Sequence, residues 1–435
     1  MRVLLLQGPV GPFFGHLQSY LENAGIDCCR ICFNAGDRHF AGNGKRISFS
    51  GSLHEWSNWL RAQLRRGACD VMVGYGCFRP AHAAARALAT EFGRPFLSLE
   101  EGYLRSGYVT AEYGGNNMAS PLAGQLPPPG FTSQSGQSDP NRFHAFARTC
   151  RYGAVYYTLR SLLSQNREQA LYHRKIRTTR EPFLWARNAF RYWRRRAADF
   201  QTISHLLEHH DRRYFLGPLQ VASHSQMSHA ACGWTTDRLI SDVLPSFARA
   251  APPSCRLVVK IHPLERGHTD ARRTVRASAE RLGLAGRVDV LETGSAGLLV
   301  RHAAGVITIN STTGFSAIFH GVPLLVVGKA LYSHPALASC AHGEPDFDAF
   351  WTGGTVADPE LRRNYLDWIR HEALLRGDFY APEGIALACA GILTRLQESP
   401  VALRQMIQSA ESVPAAASAA AADLALAGLL HKSVA

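Results

Sequence analysis

The sequence predicts an α/β chain made of two doubly wound halves. Three observations carry that expectation. Short apolar runs of strand length alternate with amphipathic segments of helix length, the spacing of a mainly parallel sheet with crossover helices. The alternation occurs twice, over residues 1–120 and again over 211–358, with a Pro-, Gly- and Ser-rich stretch and a strongly basic segment between them. Several strand ends in both halves run into polar or glycine-rich turns, where sheets of this class hold ligands. At 435 residues and 46% hydrophobic, the chain is long enough for two or three domains with real cores.

In the first half, Arg2 to Leu6 reads as a strand running into Gln7-Gly-Pro-Val-Gly-Pro-Phe-Phe-Gly15. This turn lacks the dinucleotide glycine pattern, and its two prolines remove N–H groups that a phosphate cradle would use. Gly11, Pro12 and Phe13 are therefore expected to wall an acceptor cleft, together with Asn117. Asp27 to Phe33 is a second strand, closed by the polar turn Asn34 to Asp37. Ser52 caps a helix to Arg66 whose Leu53, Trp56, Leu60 and Leu64 share one face. Asp70 to Tyr75 is a strand, and Pro80 to Phe92 an Ala-rich helix with Pro at its start. Phe96 to Leu99 is a buried strand that ends in Glu100-Glu101-Gly102. Adjacent carboxylates at a strand end repel, and burial raises at least one pKa, which is how a base or nucleophile is tuned; a solvated surface pair is the competing reading.

Residues 121–210 interrupt the pattern. Pro121 to Asp139 reads as a loop or flexible lid. His173 to Arg196 carries nine basic residues against Glu181 alone, and Phe183, Ala186, Phe190, Trp193 and Ala197 fall at helical spacing. A basic helix with an aromatic stripe has three competing readings: packing on its own domain, an anionic membrane interface, or nucleic acid. No nucleic-acid motif accompanies the patch. On the membrane reading, Arg187, Arg191, Trp193, Arg194, Arg195 and Arg196 meet the lipid.

The second half opens at Tyr214 to Val221. The strand Arg256 to Ile261 ends in Lys260-Ile-His262-Pro263, and Val288 to Leu291 is another strand. Gly305 to Ile309 runs into Asn310-Ser311-Thr312-Thr313-Gly314 at a helix start, followed by the strand Val322 to Val327. Hydroxyls and free N–H groups at a helix start make an anion site, and capping by Ser311 or Thr312 is compatible with that. Lys260 and His262 supply cationic or hydrogen-bonding groups to the same end of the sheet. Residues 359–400 read as helices packing back across the domains, and 401–435 as an Ala-rich tail, frayed or disordered.

Asp346-Phe-Asp348 has the form of a metal-holding DxD but follows no strand, so it reads as a loop. Ten scattered cysteines include a single CxxC, Cys29 to Cys32, inside a strand-like run, which argues for buried thiols rather than zinc. The net charge of +13 favours an anionic partner. The N-terminal apolar run is too short for a signal peptide, and no segment approaches membrane-span length. A cytoplasmic protein, peripheral on a membrane, is expected.

QGPVGPFFGHL, the NAGD turn, LEEGYLRSGYVTAEYGGNN, PLQV, KIHPLERG and NSTTGFSAIFHGVPLLVVGKALY occur in family order from the first strand to Tyr332. In these motifs the chain resembles the bacterial capsular polysaccharide biosynthesis family of the KpsS/LipB type. That resemblance implies a GT-B-like fold, two Rossmann-like domains facing each other across a cleft. It implies a retaining transferase that moves β-linked Kdo (3-deoxy-D-manno-octulosonic acid) from CMP-Kdo to phosphatidylglycerol or its lyso form, with no metal or other cofactor. The reaction would take place at the cytoplasmic face of the inner membrane, beside other capsule-assembly proteins and without nucleic acid. Glu101 matches the family's catalytic acid, which is Asp in the related motif, and Glu100 would orient it. Lys260 and His262 match the CMP-binding motif and Ser311 and Thr312 the phosphate loop, the Asn310–Gly314 loop being expected to stabilise the departing phosphate, and Arg105 is a candidate partner for the sugar carboxylate. His224 stands where an Asp is expected and receives no role. The alternatives are a GT-B transferase with another nucleotide sugar, or a non-catalytic membrane-docking component of capsule assembly and export.

Overall fold

A computed structural model describes residues 1–104, 107–133, 143–171, 180–221, 230–340 and 344–398. The first half forms strands β1 (Arg2–Leu5), β2 (Asp27–Cys32), β3 (Arg46–Ser48), β4 (Val71–Tyr75), β5 (Phe96–Glu101) and β6 (Tyr108–Tyr113). The second forms β7 (Tyr214–Pro218), β8 (Arg256–Lys260), β9 (Val288–Leu291), β10 (Gly305–Thr308), β11 (Leu324–Val326) and β12 (Ser339–Cys340), and β13 (Leu374–Arg376) follows. Sheet order is β13-β6-β5-β4-β1-β2-β3 in one domain and β12-β11-β10-β7-β8-β9 in the other. The second sheet is parallel throughout and winds outward in both directions from β7 and β10, leaving a crevice beyond their carboxyl ends. The first winds the same way from β1 and β4. The fold is therefore α/β and GT-B-like, as the sequence predicts.

Two features depart from the expected pattern. β5 does not lead into a crossover helix; it turns at Gly102 and returns as antiparallel β6, with Glu100 opposite Thr110 and Glu101 opposite Val109. The chain then leaves for the second domain and returns much later, when β13 adds antiparallel to β6 and the helix Pro382–Gln397 packs on the first-domain core. The preceding helix, Pro359–Ala373, instead buries Tyr365, Leu366 and Ile369 in the second-domain core. The segment after β6 is a strap rather than a free lid as far as it is described. Gly124 N–H donates to the Leu331 carbonyl and Ser133 N–H to Asn364, while Leu122, Leu126 and Phe131 pack on the second core.

The expected turns form with identifiable partners. Ser52 and Glu55 make a reciprocal capping box. The NAGD turn is structural: Asp37 accepts from Phe33 N–H, the Gln7 and Asn34 amides and the Tyr156 hydroxyl, all buried. Phe13, expected on a cleft wall, is completely buried with its ring edge-on to Phe379, 4.7 Å between centroids. Gly11 is also buried, its φ of +114° and the Tyr152 ring beside it leaving no room for a side chain. Both serve the core, because the helix starting at Phe13 needs an apolar first turn to seat on the sheet.

Candidate functional site

Glu100 and Glu101 close β5, and strand alternation turns them to opposite faces. Glu101 is exposed. Glu100 is half-buried, with the Asn116 amide donating to its Oε2 at 3.4 Å. Burial, reinforced by the charge on Glu101, pushes the Glu100 carboxyl up to about 7, against the opposing pull of Arg79. Gly76 (φ +73°) gives this carboxylate its space, since an added Cβ would lie 3.2 Å from Oε2.

A third carboxylate lies behind this pair, on β6. Glu112 is buried and accepts from the Tyr103 hydroxyl and the Ser120 hydroxyl, each at 2.5 Å. Burial raises its pKa to about 7. Tyr103 Oη in turn accepts from Asn117 N–H at 2.6 Å, which holds Asn117 at φ +54°, a left-handed conformation. Sequence reasoning missed Glu112, because a single glutamate in a strand normally reads as a surface position.

In the second domain, Ser311 Oγ accepts from Thr313 N–H at 3.2 Å and bonds to Thr313 Oγ1 at 3.0 Å at the start of the helix Thr313–His320. The helix begins after Thr312, whose side chain makes no capping bond. Gly314 has a packing reason rather than a ligand one: a Cβ there would lie 2.2 Å from the Tyr332 hydroxyl, which donates to the Ser311 carbonyl. His262 is half-buried and its Nδ1 accepts from Leu264 N–H at 3.1 Å, so in the neutral ring Nε2 bears the hydrogen.

Lys260 departs from expectation. It is buried, donates to the Ile261 carbonyl, and sits near Arg266, Asp199 and Glu292 rather than opening to the cleft. Burial, aided by Arg266, pulls its pKa down to about 8. Both carboxylates of the DxD have protein partners: Asp346 caps the helix Phe347–Phe350, where the sequence suggests a loop, and Asp348 pairs with Arg249 and Ser246. Among the described residues no cluster of His, Cys, Asp or Glu has a metal-holding arrangement. Cys28 and Cys32 are buried thiols raised to about 12 and about 11 by desolvation. Arg105 and His224 lie outside the described residues.

A small cavity lies between the domains. Asn117 and Met118 from the first domain line it with Asn310, Thr312, Phe315 and Lys329 from the second. Asn310 opens the anion loop, and Asn117 follows Asn116, the partner of Glu100. The two ends of the expected site therefore converge here.

The basic helix forms over Glu181–His209. Phe183, Phe190, Trp193 and Phe200 are 68%, 63%, 72% and 69% exposed, so the stripe does not pack on its own domain. The opposite face does. Arg187 Nε donates to the Gly267 carbonyl, Asn188 to Pro263, and Arg191 to the carbonyls of Arg266 and Thr269 and to Asp270. Asp199 accepts from the N–H groups of Glu292 and Thr293. Arg187 and Arg191 thus fasten the helix to its domain. Arg194 and Arg196 are exposed and, by helical spacing, flank the stripe, whereas Arg195 is half-buried. Among the described residues no helix is long and apolar enough to cross a membrane.

Comparison with known proteins identifies the lineage. The family described as "Capsule polysaccharide biosynthesis protein" matches residues 70–380. The chain is 30% identical over 386 residues to the Escherichia coli protein named capsule polysaccharide export protein KpsS, covering 87% of this chain and 97% of that one. It is 28% identical over 392 residues to the capsule polysaccharide modification protein LipB of Neisseria meningitidis serogroup B, covering 87% and 92%. Among solved structures, the Thermosulfurimonas dismutans KpsC beta Kdo 2,7 transferase aligns over 92% of this chain and 100% of its own, with a TM-score of 0.41 and 13% identity.

Proposed function

The chain belongs to the capsule polysaccharide biosynthesis family, and on that premise we propose that it is a retaining glycosyltransferase moving β-Kdo from CMP-Kdo to a phosphatidylglycerol-type acceptor. The observation that carries this reading is the convergence at the domain boundary. A carboxylate pair at the end of β5 leads through Asn116 to Asn117, and Asn117 shares a cavity with the anion loop. That arrangement suits a nucleotide sugar bridging the two domains, with the leaving phosphate against the loop and the sugar toward the acids. The sugar and acceptor rest on the motif resemblance.

A β-configured donor giving a β-linked product requires net retention, which a carboxylate delivers by double displacement. Glu101, exposed and one residue from Glu100, is the nucleophile, or the base for the glycerol hydroxyl. Glu100, its carboxyl pushed up to about 7, acts on Glu101 through its charge from the other face of the strand. His262 and the hydroxyls of the Asn310–Gly314 loop stabilise the departing CMP phosphate, and no metal is required. The exposed stripe flanked by Arg194 and Arg196 supports docking on an anionic bilayer, aromatics in the headgroup zone and guanidinium groups on lipid phosphate. This is the membrane surface from which the acceptor would enter.

Incubation of the protein with CMP-Kdo and a fluorescent phosphatidylglycerol analogue tests the reading by product mass. An increment of one Kdo residue is expected, and an unchanged acceptor refutes it. A thermal-shift panel of CMP, UDP and GDP tests the donor: stabilisation by UDP or GDP instead of CMP would point to another nucleotide sugar.

A further inference from the structure

Two residues that line the interdomain cavity carry buried amide nitrogens with no acceptor among the described residues. Asn310 is 6% exposed, and its Nδ2 has no hydrogen-bond partner among the described residues. Asn117 Nδ2, from the other domain, is equally without one. Both residues line the same cavity. A buried donor left unpaired is costly, so two such donors on residues that line one cavity call for an acceptor that the described residues do not supply.

The orientation of Asn310 is fixed by Gln220, just beyond β7. Asn310 N–H donates to Gln220 Oε1 at 3.0 Å, and a backbone N–H can only donate. Gln220 must therefore turn its oxygen to the backbone and its amide nitrogen to the Asn310 side chain. That nitrogen donates to Asn310 Oδ1 at 2.7 Å. The Asn310 carbonyl is occupied, and its NH2 group faces away from Gln220. Gln220 and Asn310 follow β7 and β10, the two strands at which the second sheet changes winding direction, where such sheets take ligands.

We propose that Asn310 and Asn117 together grip one anionic oxygen of the donor substrate from opposite domains, and that Gln220 is the positioning residue that keeps the Asn310 amide pointed at it. This assigns Asn117 to the donor rather than to the acceptor wall. It rests on the nucleotide-sugar reading but does not depend on which nucleotide is used. The oxygen belongs either to the phosphate or to the carboxylate of the sugar.

Gln220→Glu makes the test nearly isosteric. The new carboxylate still accepts from Asn310 N–H, but its second oxygen now needs a donor. Asn310 turns its NH2 toward residue 220 and presents its carbonyl to the cavity, so a grip becomes a repulsion. Affinities of CMP, cytidine and CMP-Kdo are measured by calorimetry for wild type, Gln220→Glu and Asn117→Asp, with thermal unfolding as the fold control. If the phosphate is held, both variants lose about tenfold or more in CMP affinity and keep cytidine affinity. If the sugar carboxylate is held, CMP affinity is unchanged and the additional affinity of CMP-Kdo over CMP is lost. Either pattern supports the proposal, and a merely structural Gln220 would weaken all three ligands together. Affinities within twofold of wild type for both CMP and CMP-Kdo overturn it. Should Gln220→Glu fail to fold, Asn117→Asp on the other domain decides the question by the same comparison. If the wild type prefers UMP or GMP, the donor reading fails while the same comparison runs with that monophosphate and its nucleoside. If it binds no nucleotide and no inorganic phosphate, both readings fall.

Discussion

Tyr103 of the first domain stacks on Phe315 of the second, ring centroids 5.6 Å apart and planes 19° from parallel, while its hydroxyl donates to Glu112. One side chain thus joins the two domains and orders the carboxylate side of the cleft. The ring lies within the core of the second domain, and the hydroxyl also receives Asn117 N–H. Tyr103→Phe keeps the stack but leaves a buried carboxylate and an N–H with one partner fewer. We expect a loss of about 1–3 kcal/mol in urea unfolding, with donor affinity reduced because Asn117 loses its anchor. Unchanged stability would show that the Tyr103–Glu112 bond adds nothing net.

Glu100 gives a pH signature. In the folded chain it keeps its proton up to about pH 7, whereas unfolded it titrates at the ordinary carboxylate value. Between those values the native state binds more protons, so this group's contribution to stability falls as pH rises. Glu100→Gln should therefore gain stability relative to wild type between about pH 5 and about pH 8, by at most about 1–3 kcal/mol. A difference that is flat across that range would mean that the Glu100 carboxyl is not desolvated in the folded chain.

Glu101→Gln should fold with wild-type cooperativity, because the side chain is exposed, and lose transfer by about a hundredfold or more. Near-wild-type turnover would move the chemistry to Glu100. Glu100→Gln should keep partial activity but shift the acidic limb of the rate profile, since the group titrating near neutrality is gone.

The aromatic stripe predicts binding without a stability cost. Phe190→Glu with Trp193→Glu should leave the unfolding free energy within about 0.5 kcal/mol of wild type, both side chains being largely exposed. The same variant should no longer sediment with phosphatidylglycerol vesicles, and Arg194→Glu with Arg196→Glu should weaken sedimentation in a salt-dependent way. Arg191→Glu should instead destabilise the fold, since it breaks contacts to Arg266, Thr269 and Asp270. Retained vesicle binding by the stripe variant would remove the bilayer from the proposal.

Chelation should have no effect. Asp348 is already paired with Arg249 and Ser246, so EDTA is expected to leave donor affinity and turnover unchanged. A loss restored by magnesium would reopen the DxD as a metal site.

Most strands of both sheets were legible because buried parallel strands read as continuous apolar runs bounded by turn residues. β6 was not, since Tyr108 to Tyr113 alternates too weakly and carries Glu112 on a buried face, a polarity only Tyr103 and Ser120 explain. β13 is three residues long and meaningful only beside β6. The same limit applies to the site. The motifs located Glu100, Glu101, His262 and the Asn310 loop, yet which way a side chain faces is decided by distant partners. Lys260 turned inward toward Asp199 and Glu292, and Phe13 into the core against Phe379. Gln220 stands in the PLQV motif, but the motif gives it no role. Its meaning lies entirely in the two bonds it makes to a residue 90 positions later.

The late return of the chain to β6 has a consequence for biosynthesis. When β6 leaves the ribosome its outer edge is unpaired, and its partner β13 follows only after the entire second domain. An open strand edge is a template for pairing with other chains. The carboxylates of the first domain are thus laid down on a sheet that stays unsealed through most of translation. Truncated chains ending before Leu374 are expected to aggregate rather than yield an independent first domain.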